Sequence, residues 1–560
     1  MNRAHLLFVG ATAVVALALS ACSTPQTSAP APSGGADTGP VQPKVNRLVI
    51  AMPQPAREAN NPSRDLSPPD IVQLRPMYEQ LIAVGTKDGK FEPLLATSWA
   101  LEPDGKAYRF KLRQGVKFHD NYGEMTSKDV AFTMADLSAQ ESIHSNAADH
   151  RNLIEKVDEI NDYEIVFRFR RPDAAWLGNI SMQLSGMEIH SKKHFEEKGN
   201  PTLSDRAVPG TGAYQYKERQ QGAFVRFDRV AYQHWRVQPD FPELEIRWVG
   251  EASTRLAALL AGEIQMAPIP NDLQPSALNQ GMKIATGTVK GVRFFLRFRG
   301  VYLNDTKDVS KGYKFPDSPF MDLKVRRALN KAINRDELNK TLLAGKGELM
   351  VNNHFHPVYR KGWNADWEKR FPEEYGYDQT RARALLQEAG YGPGKPLTTN
   401  IILTNLGELP NTPDILEAVA GYWRQVGVQV NLLTIDRAED TRRNNAQEFN
   451  NHISPWVAPS DQFLGAFIFN SYSNRPPAGD VVYAPDVDEA FQKVRAELDD
   501  KKQDDLWRQY GEAQFRAVQH MPMFYLPVEV VYNPKIISEY IFPGSISGLY
   551  THLETVKAAR

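Results

Sequence analysis

The chain has 560 residues, of which 42% are hydrophobic, 10% aromatic and 24% charged, and its formal net charge is -1. This balance is typical of a globular protein, and it excludes a strong basic field for nucleic acid or for an anionic lipid surface. A chain of this length exceeds what one hydrophobic core usually holds, so we expect at least two domains.

The first segment has the pattern of a secretory signal. Arg3 precedes an apolar run from Leu6 to Leu19 that is too short to span a bilayer. The run leads into Ser-Ala-Cys22, which resembles the lipobox of bacterial lipoproteins, where the cysteine thiol receives a diacylglyceryl group. We therefore expect residues 1–21 to be a signal peptide and Cys22 to carry lipid. A secretory signal with an incidental cysteine is the alternative. Because Cys22 is the only cysteine, the sequence has no second thiol for a disulfide or a zinc cluster.

The stretch after Cys22 is rich in proline, serine, threonine and glycine and has almost no large apolar side chains. It cannot bury enough surface to order itself, so residues 22–44 are predicted to be a flexible tether. The folded body then begins near Val45. Together with the lipid, this arrangement predicts an extracytoplasmic protein anchored to the cell membrane, in the periplasm or at the cell surface.

The body shows strand patterns first and then a helix pattern. Residues 47–52 contain a short apolar run suited to a buried strand, and alternating apolar residues predict half-buried strands at 108–112 and 165–169. Thr126 followed by Asp129 resembles a capping box, so we expect a helix to begin there.

Further helices and a βαβ unit are predicted in the second half. Ser253 is expected to cap a helix that stops at Gly262, since glycine suits a left-handed helix end. Two helices in series are predicted from Leu323 and from Asn334. Residues 401–404, 414–426 and 428–435 have strand, helix and strand patterns. Part of the sheet should therefore be parallel, and the fold class should be α/β.

Four stretches match the pattern of one family. The longest, at 78–134, is YEQLIAVGTKDGKFEPLLATSWALEPDGKAYRFKLRQGVKFHDNYGEMTSKDVAFTM. The others are PGTGAYQY at 209–216, PFMDLKVRRALNKAINRDEL at 319–338 and YDQTRARALLQEAGY at 377–391. With these stretches in this order, the chain from about Val45 onward resembles the family 5 extracellular solute-binding proteins of bacterial ABC importers. That family includes oligopeptide-, dipeptide- and nickel-binding members.

The resemblance implies a two-lobed periplasmic-binding-protein-like fold with a ligand cleft between the lobes and a discontinuous first lobe. Lobe I is expected at 45–290, with an inserted subdomain at about 67–205. Lobe II is expected at 291–523, and residues 524–560 should return to lobe I.

The resemblance also implies a function. A monomer of this kind captures a peptide or another polar small solute by hinge closure and delivers it to the permease subunits of an ABC transporter, without catalysis and without a cofactor. Three alternatives stay open: a lipid-anchored receptor or chaperone of the same fold, a nickel-complex binder, and a surface hydrolase.

Residues that could carry chemistry or bind metal form no convincing constellation. His119 and Asp120 adjoin each other without a nucleophile, and Gly210-Thr-Gly212 lacks the third glycine of a nucleotide fingerprint. The pairs His190/His194 and His354/His356 lack an acidic or cysteine partner at ligand spacing, and the first pair suits a solvated surface helix better. We therefore expect no catalytic residue, no metal site and no nucleic acid partner.

Candidate ligand contacts come from aromatic residues of loops that the resemblance places at the cleft. They are Trp456, Phe355 and Tyr525, and for each of them core packing is the alternative. In peptide-binding relatives an Asp three residues after the tryptophan pairs with the peptide amino terminus, but here that position is Pro459, and Asp461 is the nearest replacement. A buried ammonium without an acid is unfavourable, so recognition of an α-amine depends on Asp461.

Overall fold

The structure is a computed structural model of the chain. It describes residues 43–560 except for positions 56, 62–67, 88, 143, 145, 184–186, 200–207, 306–307, 359–360, 405, 407–408, 410, 436, 459–461, 463–465, 467–481 and 545–549. The predicted signal peptide, Cys22 and the tether up to residue 42 therefore lie outside the described residues, as do Pro459 and Asp461. Within the described ranges, no helix is both long enough and apolar enough to cross a membrane.

The strands are named here in chain order. They are β1 (Arg47–Met52), β2 (Ile82–Val84), β3 (Phe91–Pro93), β4 (Ala96–Leu101), β5 (Ala107–Leu112), β6 (Ile154–Asn161), β7 (Glu164–Phe169), β8 (Tyr214–Gln220), β9 (Phe224–Arg229), β10 (Glu243–Trp248), β11 (Met266–Ala267), β12 (Lys283–Thr286), β13 (Val292–Arg299), β14 (Glu348–Leu349), β15 (Thr398–Leu403), β16 (Gln429–Thr434), β17 (His452–Ala458), β18 (His520–Leu526), β19 (Glu529–Tyr532), β20 (Ile537–Glu539) and β21 (Lys557–Ala558).

The α-helices are named in the same way. They are α1 (Ser127–Leu137), α2 (Ala147–Leu153), α3 (Trp176–Asn179), α4 (Lys192–Lys198), α5 (Ala252–Ala261), α6 (Gln274–Asn279), α7 (Leu323–Lys331), α8 (Arg335–Leu342), α9 (Asp366–Glu374), α10 (Gln379–Glu388), α11 (Thr412–Gln425), α12 (Arg437–Asn445), α13 (Pro485–Ala496) and α14 (Asp500–Ala517).

The first large sheet has seven strands in the order β12-β19-β11-β1-β10-β9-β8. The apolar run predicted to form a strand is β1, and it lies between two parallel neighbours, β10 and β11. Because both faces of this strand are covered, five of its six residues are buried. The outer strands β8, β9, β12 and β19 pair antiparallel.

The second large sheet has six strands in the order β14-β18-β13-β17-β15-β16. Its central strand β13 is buried along its whole length. Strands β15 and β16 are parallel and are joined through α11, so the predicted βαβ unit is confirmed. Trp423 of α11 anchors the helix, since its indole Nε1 donates to the carbonyl of Leu329 at 2.9 Å.

A separate four-stranded antiparallel sheet has the order β4-β5-β7-β6. The alternation seen in the sequence gives β5 and β7, as predicted. Their inward side chains Phe110 and Phe167 pack on Trp176, with ring centroids 6.0 and 4.9 Å from its indole. Helix α1 covers this core, and Thr126 and Asp129 form the reciprocal capping box at its start.

The helix boundaries agree with the sequence patterns except at one cap. Helix α5 begins at Ala252 with Glu251 as its N-cap, so the prediction that Ser253 caps it is wrong; Ser253 lies inside the first turn. Gly262 ends the helix in a left-handed conformation with φ 79°, as predicted. Asn334 caps α8 by accepting from the amide of Glu337, which confirms the second of the two predicted helices in series.

The chain passes between the two large sheets twice. It leaves the first sheet after β12 and enters the second at β13, and it returns between the end of β18 and the start of β19. The predicted lobe limits at 290 and 523 stay predictions, because sheet membership does not define how far a lobe extends.

Candidate functional site

The strand directions place the candidate site at the two crossings. In the first sheet β1, β10 and β11 run parallel, and β19 begins at the edge where they end. In the second sheet β15, β16, β17 and β18 all end at the edge where β13 begins. The crossing between β18 and β19 joins these two edges. In open α/β sheets, ligands bind outside the carboxyl ends of the strands, so this junction is the expected binding region.

A cavity lies at the junction and is lined from both sheets. The first sheet and the segment after β11 contribute Pro268, Ile269 and Gln274, while the second contributes Val292 and Leu526. Its wall is mixed, with proline and aliphatic surface beside amide and carboxylate groups. Such a wall suits a small solute that presents both apolar and hydrogen-bonding surface.

An ion pair joins the two sides of the junction next to this cavity. Lys346, in the loop after α8, places its Nζ 2.6 Å from Oε2 of Glu529 at the start of β19. The same ammonium lies 2.5 Å from Oε1 of Gln274, whose Nε2 in turn donates to Glu529 at 3.0 Å. The three groups therefore satisfy one another and tie the second half of the chain to the first sheet.

A second ion pair lies at the other crossing. Lys290, just before β13, pairs with Glu348 of β14. His356 Nε2 is 2.9 Å from the other oxygen of the same carboxylate. Burial raises the pKa of Glu348, but Lys290 and His356 outweigh this effect and hold it below its ordinary value. Glu348 is therefore ionised at neutral pH.

One face of β13 is rich in arginine. Because side chains alternate along a strand, Arg293, Phe295, Arg297 and Arg299 share this face, which is called here the arginine face. The guanidinium of Arg297 lies 4.2 Å from the ring centre of Trp456 and donates to Oγ of Ser454 at 3.0 Å. This stacking holds the half-buried indole of Trp456 at the carboxyl end of β17.

The other two aromatic candidates also lie at this edge of the second sheet. Tyr525 pairs with Arg293 in the strand register, and its hydroxyl donates to the carbonyl of Phe355 at 2.6 Å. Both residues are buried. The ring of Phe355 packs against Trp367, 4.8 Å between centroids, and belongs to a hydrophobic cluster with Tyr510.

The structure thus brings Trp456, Phe355 and Tyr525 to one edge of one sheet, and of the three only Trp456 is partly open to solvent. Ligand contact by each of them stays a prediction. Sequence reasoning missed Arg297, Lys346 and Glu529. The alternation Val-Arg-Phe-Phe-Leu-Arg-Phe-Arg at 292–299 is the signal that could have identified the arginine face.

His119 has a structural role. Its Nε2 donates to the carbonyl of Gly212 at 2.8 Å. Burial lowers the pKa of His119 to about 4, although this hydrogen bond acts in the opposite direction, so the ring is neutral at pH 7. A Cβ on Gly210 or Gly212 would lie 2.2 Å from the carbonyl oxygen of Met77 or 2.4 Å from that of Pro76. The backbone passes too closely at both positions for any side chain larger than that of glycine.

The histidine pairs considered for metal do not have the predicted settings. His190 lies before α4 and is fully buried, and His194 is the buried residue of a helix whose other residues are partly or fully exposed. The helix therefore lies at the surface as predicted, but neither histidine is solvated. The physical reason is that the ring of His190 packs against Phe132, 5.7 Å between centroids. His354 lies in a turn with φ 71° rather than on a strand. Among the described residues, no group of three or more His, Cys, Asp or Glu side chains is placed to hold a metal ion.

Solved structures of similar architecture identify the fold. The periplasmic binding protein DppA of Helicobacter pylori, in complex with the peptide STSA, matches with a TM-score of 0.72 and 21% identity over 90% of this chain and 97% of that one. NikZ of Campylobacter jejuni, in complex with Ni(L-His), matches with a TM-score of 0.73 and 20% identity over 91% of this chain and 99% of that one. The fold is therefore that of the two-lobed periplasmic binding proteins, as predicted.

Sequence comparison identifies the family. A profile described as "Bacterial extracellular solute-binding proteins, family 5 Middle" matches residues 90–475. The chain belongs to this family, which confirms the resemblance seen in its motifs. The dipeptide-binding protein of Escherichia coli (strain K12) is 26% identical over 481 residues, 82% of this chain and 85% of that protein. Heme-binding protein A of Haemophilus influenzae is 25% identical over 417 residues, 70% of this chain and 72% of that protein.

Proposed function

We propose that this chain is an extracytoplasmic, lipid-anchored binding protein that captures a peptide or another polar small solute and delivers it to the permease of an ABC importer. Membership of a family of solute-binding proteins supports solute capture and a permease partner. The relatives named above are described as binding a dipeptide or heme, and two solved structures hold a peptide or Ni(L-His). One fold therefore serves solutes of different chemistry, and the wall of the site selects among them.

The observation that carries the proposal is the meeting of strand carboxyl ends at the two crossings. A solute bound there contacts both large sheets at once, so binding favours the closed arrangement over any open one. Trp456, stacked on Arg297, supplies an amphipathic wall whose indole face and cation suit a polar solute with some apolar surface. In this proposal lobe I consists of residues 45–290 together with 524–560, and lobe II consists of residues 291–523. This mechanism requires binding and closure and no covalent step, so we assign no enzymatic activity.

Mass spectrometry of the solute retained by the purified protein tests the proposal. The protein should release a stoichiometric small molecule on denaturation, and adding that molecule back should raise the melting temperature by mass action. Trp456→Ala should retain less of it, while Trp99→Ala, a half-buried tryptophan of the four-stranded sheet, serves as the matched control. Conversion of the molecule over many turnovers would instead assign a hydrolase.

The role of Asp461 is tested with a peptide and its N-acetylated form. Because Pro459 replaces the acid expected from the peptide-binding relatives, we expect acetylation to change the affinity little. A free-amine peptide bound at least about a hundredfold better than the acetylated form, with the preference lost in Asp461→Asn, would show that Asp461 anchors the amine.

The lipid anchor has its own test. Replacing Cys22 by serine should abolish labelling by a radioactive fatty acid and leave the folded body unchanged, because neither the lipid nor the tether contributes to a hydrophobic core. Labelling that persists in Cys22→Ser would contradict the lipobox assignment and would leave solute binding unaffected.

A further inference from the structure

A contact outside the candidate site joins the four-stranded sheet to the second half of the chain. Asp173, just after β7, forms an ion pair with Arg495 in the last turn of α13. The amide of Ala174 donates to the carbonyl of Arg495 at 3.3 Å. Asp173 is 4% exposed and Arg495 is 9% exposed. These three residues are called here the outer contact.

The outer contact is built on rigid parts on both sides. Asp173 accepts from the amide of Ala175 at 3.0 Å and from Arg171 at 3.1 Å, directly before the helix that begins with the core residue Trp176. Arg495 lies in the last turn of α13, where carbonyls have no intrahelical donor, and its carbonyl accepts from the amide of Ala174.

A second, apolar contact lies beside the ion pair. Leu498, in the turn between α13 and α14, packs over Gly105 in the turn between β4 and β5. A Cβ on Gly105 would lie 2.7 Å from Cδ1 of Leu498, which shows how closely the two turns approach. The charged and apolar contacts together form a small interface between the end of the four-stranded sheet and the α13–α14 turn.

Topology determines what this interface can do. The four-stranded sheet lies between β1 and β8 in sequence, and α13 and α14 lie between β17 and β18. Their chain segments are therefore joined covalently only through the two crossings between the large sheets. A motion about those crossings that moves the four-stranded sheet away from α13 breaks the outer contact.

We propose that the outer contact is a latch that holds the closed, solute-bound arrangement, an inference that rests on hinge closure as the proposed function. A buried ion pair is costly to leave half-made, because removal of one partner strands a desolvated charge. In the open form both groups regain water, and in the closed form the hydrogen bond of Ala174 and the apolar contact of Leu498 offset the cost of removing it. The latch therefore adds closed-state stability independent of the solute's chemistry and sets how much solute binding is needed to close the lobes.

Hydrogen exchange on the full chain tests the latch, because the amide of Ala174 is protected only while the contact is made. In Arg495→Gln its exchange rate should rise at least about tenfold. The amide of Phe169, which donates to the carbonyl of Lys106 at 2.7 Å within the four-stranded sheet, should keep its rate. Lys493→Gln is the matched control on the same helix, since Lys493 pairs with Glu489 one turn earlier.

Two further experiments connect the latch to solute binding. They also distinguish a failure of the latch from a failure of the proposed function. Asp173→Asn should also increase exchange at Ala174, and the double variant with Arg495→Gln should give no larger increase than either single variant, because all three remove one pair. Trialanine is the probe solute: if it raises the melting temperature, it should slow exchange at Ala174, and Arg495→Gln should weaken its binding about tenfold.

If trialanine does not bind, recognition of this tripeptide fails, and the comparison of Arg495→Gln with the unmodified chain still decides the latch. Unchanged exchange at Ala174 in Arg495→Gln would overturn the latch. So would a bound solute that leaves this amide's exchange unaltered.

Discussion

The core of the four-stranded sheet and the arginine face of β13 are both closed to solvent, yet they contain different side chains. The first gathers Tyr108, Phe110 and Phe167 around Trp176. The second contains three arginines, Arg293, Arg297 and Arg299, and one phenylalanine, Phe295. An aromatic core of this kind stabilises a fold wherever it occurs. A row of buried cations is unfavourable unless polar groups surround it, and here Arg297 donates to Ser454 while Arg299 pairs with Asp440.

The two faces of β13 repeat this contrast within one strand. The opposite face carries Val292, Phe294, Leu296 and Phe298, and Phe298 packs on Phe320 with ring centroids 5.1 Å apart. One face therefore belongs to the hydrophobic core of the second sheet. The other presents the guanidinium that stacks on Trp456. Substitutions should accordingly change stability at one set of positions and solute affinity at the other.

The largest effect is expected from Trp176→Ala. The side chain is fully buried and contacts four other aromatic rings, so its removal should lower the free energy of unfolding by about 3–5 kcal/mol. Urea unfolding followed by circular dichroism measures this loss. Solute affinity of the folded fraction should stay within a factor of about two. A larger change would show that the aromatic core also affects solute binding.

The second-largest effect is expected from acid, which should destabilise the region of the four-stranded sheet. Burial lowers the pKa of His150 to about 4, with Asp173 acting weakly in the opposite direction, and burial lowers the pKa of His144 to about 3. Both rings take up protons more readily in the unfolded chain, so stability falls as the pH drops below the ordinary histidine value. The loss between pH 6.5 and pH 5 should be about 2 kcal/mol per histidine.

The acid effect has an internal control. The Nε1 of Trp176 donates to Nδ1 of His150 at 3.4 Å, so His150→Asn retains an acceptor and removes the titrating group. Unfolding at pH 5, 6 and 7 should show a shallower pH dependence in this variant. An unchanged slope would mean that His150 is not one of the groups responsible. Arginine stays protonated throughout this range, so the arginine face should not contribute.

Trp456→Ala tests the other region of the comparison, the arginine face of β13. Because this indole is half-buried and stacked on Arg297, its removal should weaken solute binding by on the order of 1–3 kcal/mol. Calorimetry with the retained solute measures this change. Normal affinity combined with a large loss of stability would place Trp456 with the core residues instead.

The smallest effect is expected from Arg297→Lys. Lysine keeps the charge but cannot lay a planar group on the indole, so the affinity should fall by roughly 0.5–1 kcal/mol. The hydrogen bond to Ser454 provides the control, because Ser454→Ala removes one partner of Arg297 without touching the stacking. Equal losses in the two variants would show that hydrogen bonding, rather than stacking, positions Arg297.

Local patterns predicted the fold well because they express local physics. The alternation at 108–112 and 165–169, the capping box at Thr126 and the βαβ pattern at 401–435 all gave the observed elements. Ser253 was misassigned since Glu251 takes the extended N-cap conformation two residues earlier. His190 was misassigned because its burial depends on Phe132, which is 58 positions away in sequence and whose position the local pattern does not specify.

The candidate site was predictable only in part. Trp456 was found from a family motif, but Lys346 and Glu529 meet across 183 positions of sequence, and only the topology brings them together. The arginine face was visible as an alternating pattern at 292–299. Its place near the candidate site could not be predicted, because the sequence does not show that β13 starts at a crossing between the sheets.

Small-angle X-ray scattering, with and without the retained solute, tests the central claim of capture by closure most directly. The solute should reduce the radius of gyration in the unmodified chain, since it contacts both large sheets only when the lobes are closed. Trp456→Ala should need more solute for the same change. A solute that binds tightly by calorimetry and leaves the scattering curve unchanged would contradict closure about the two crossings.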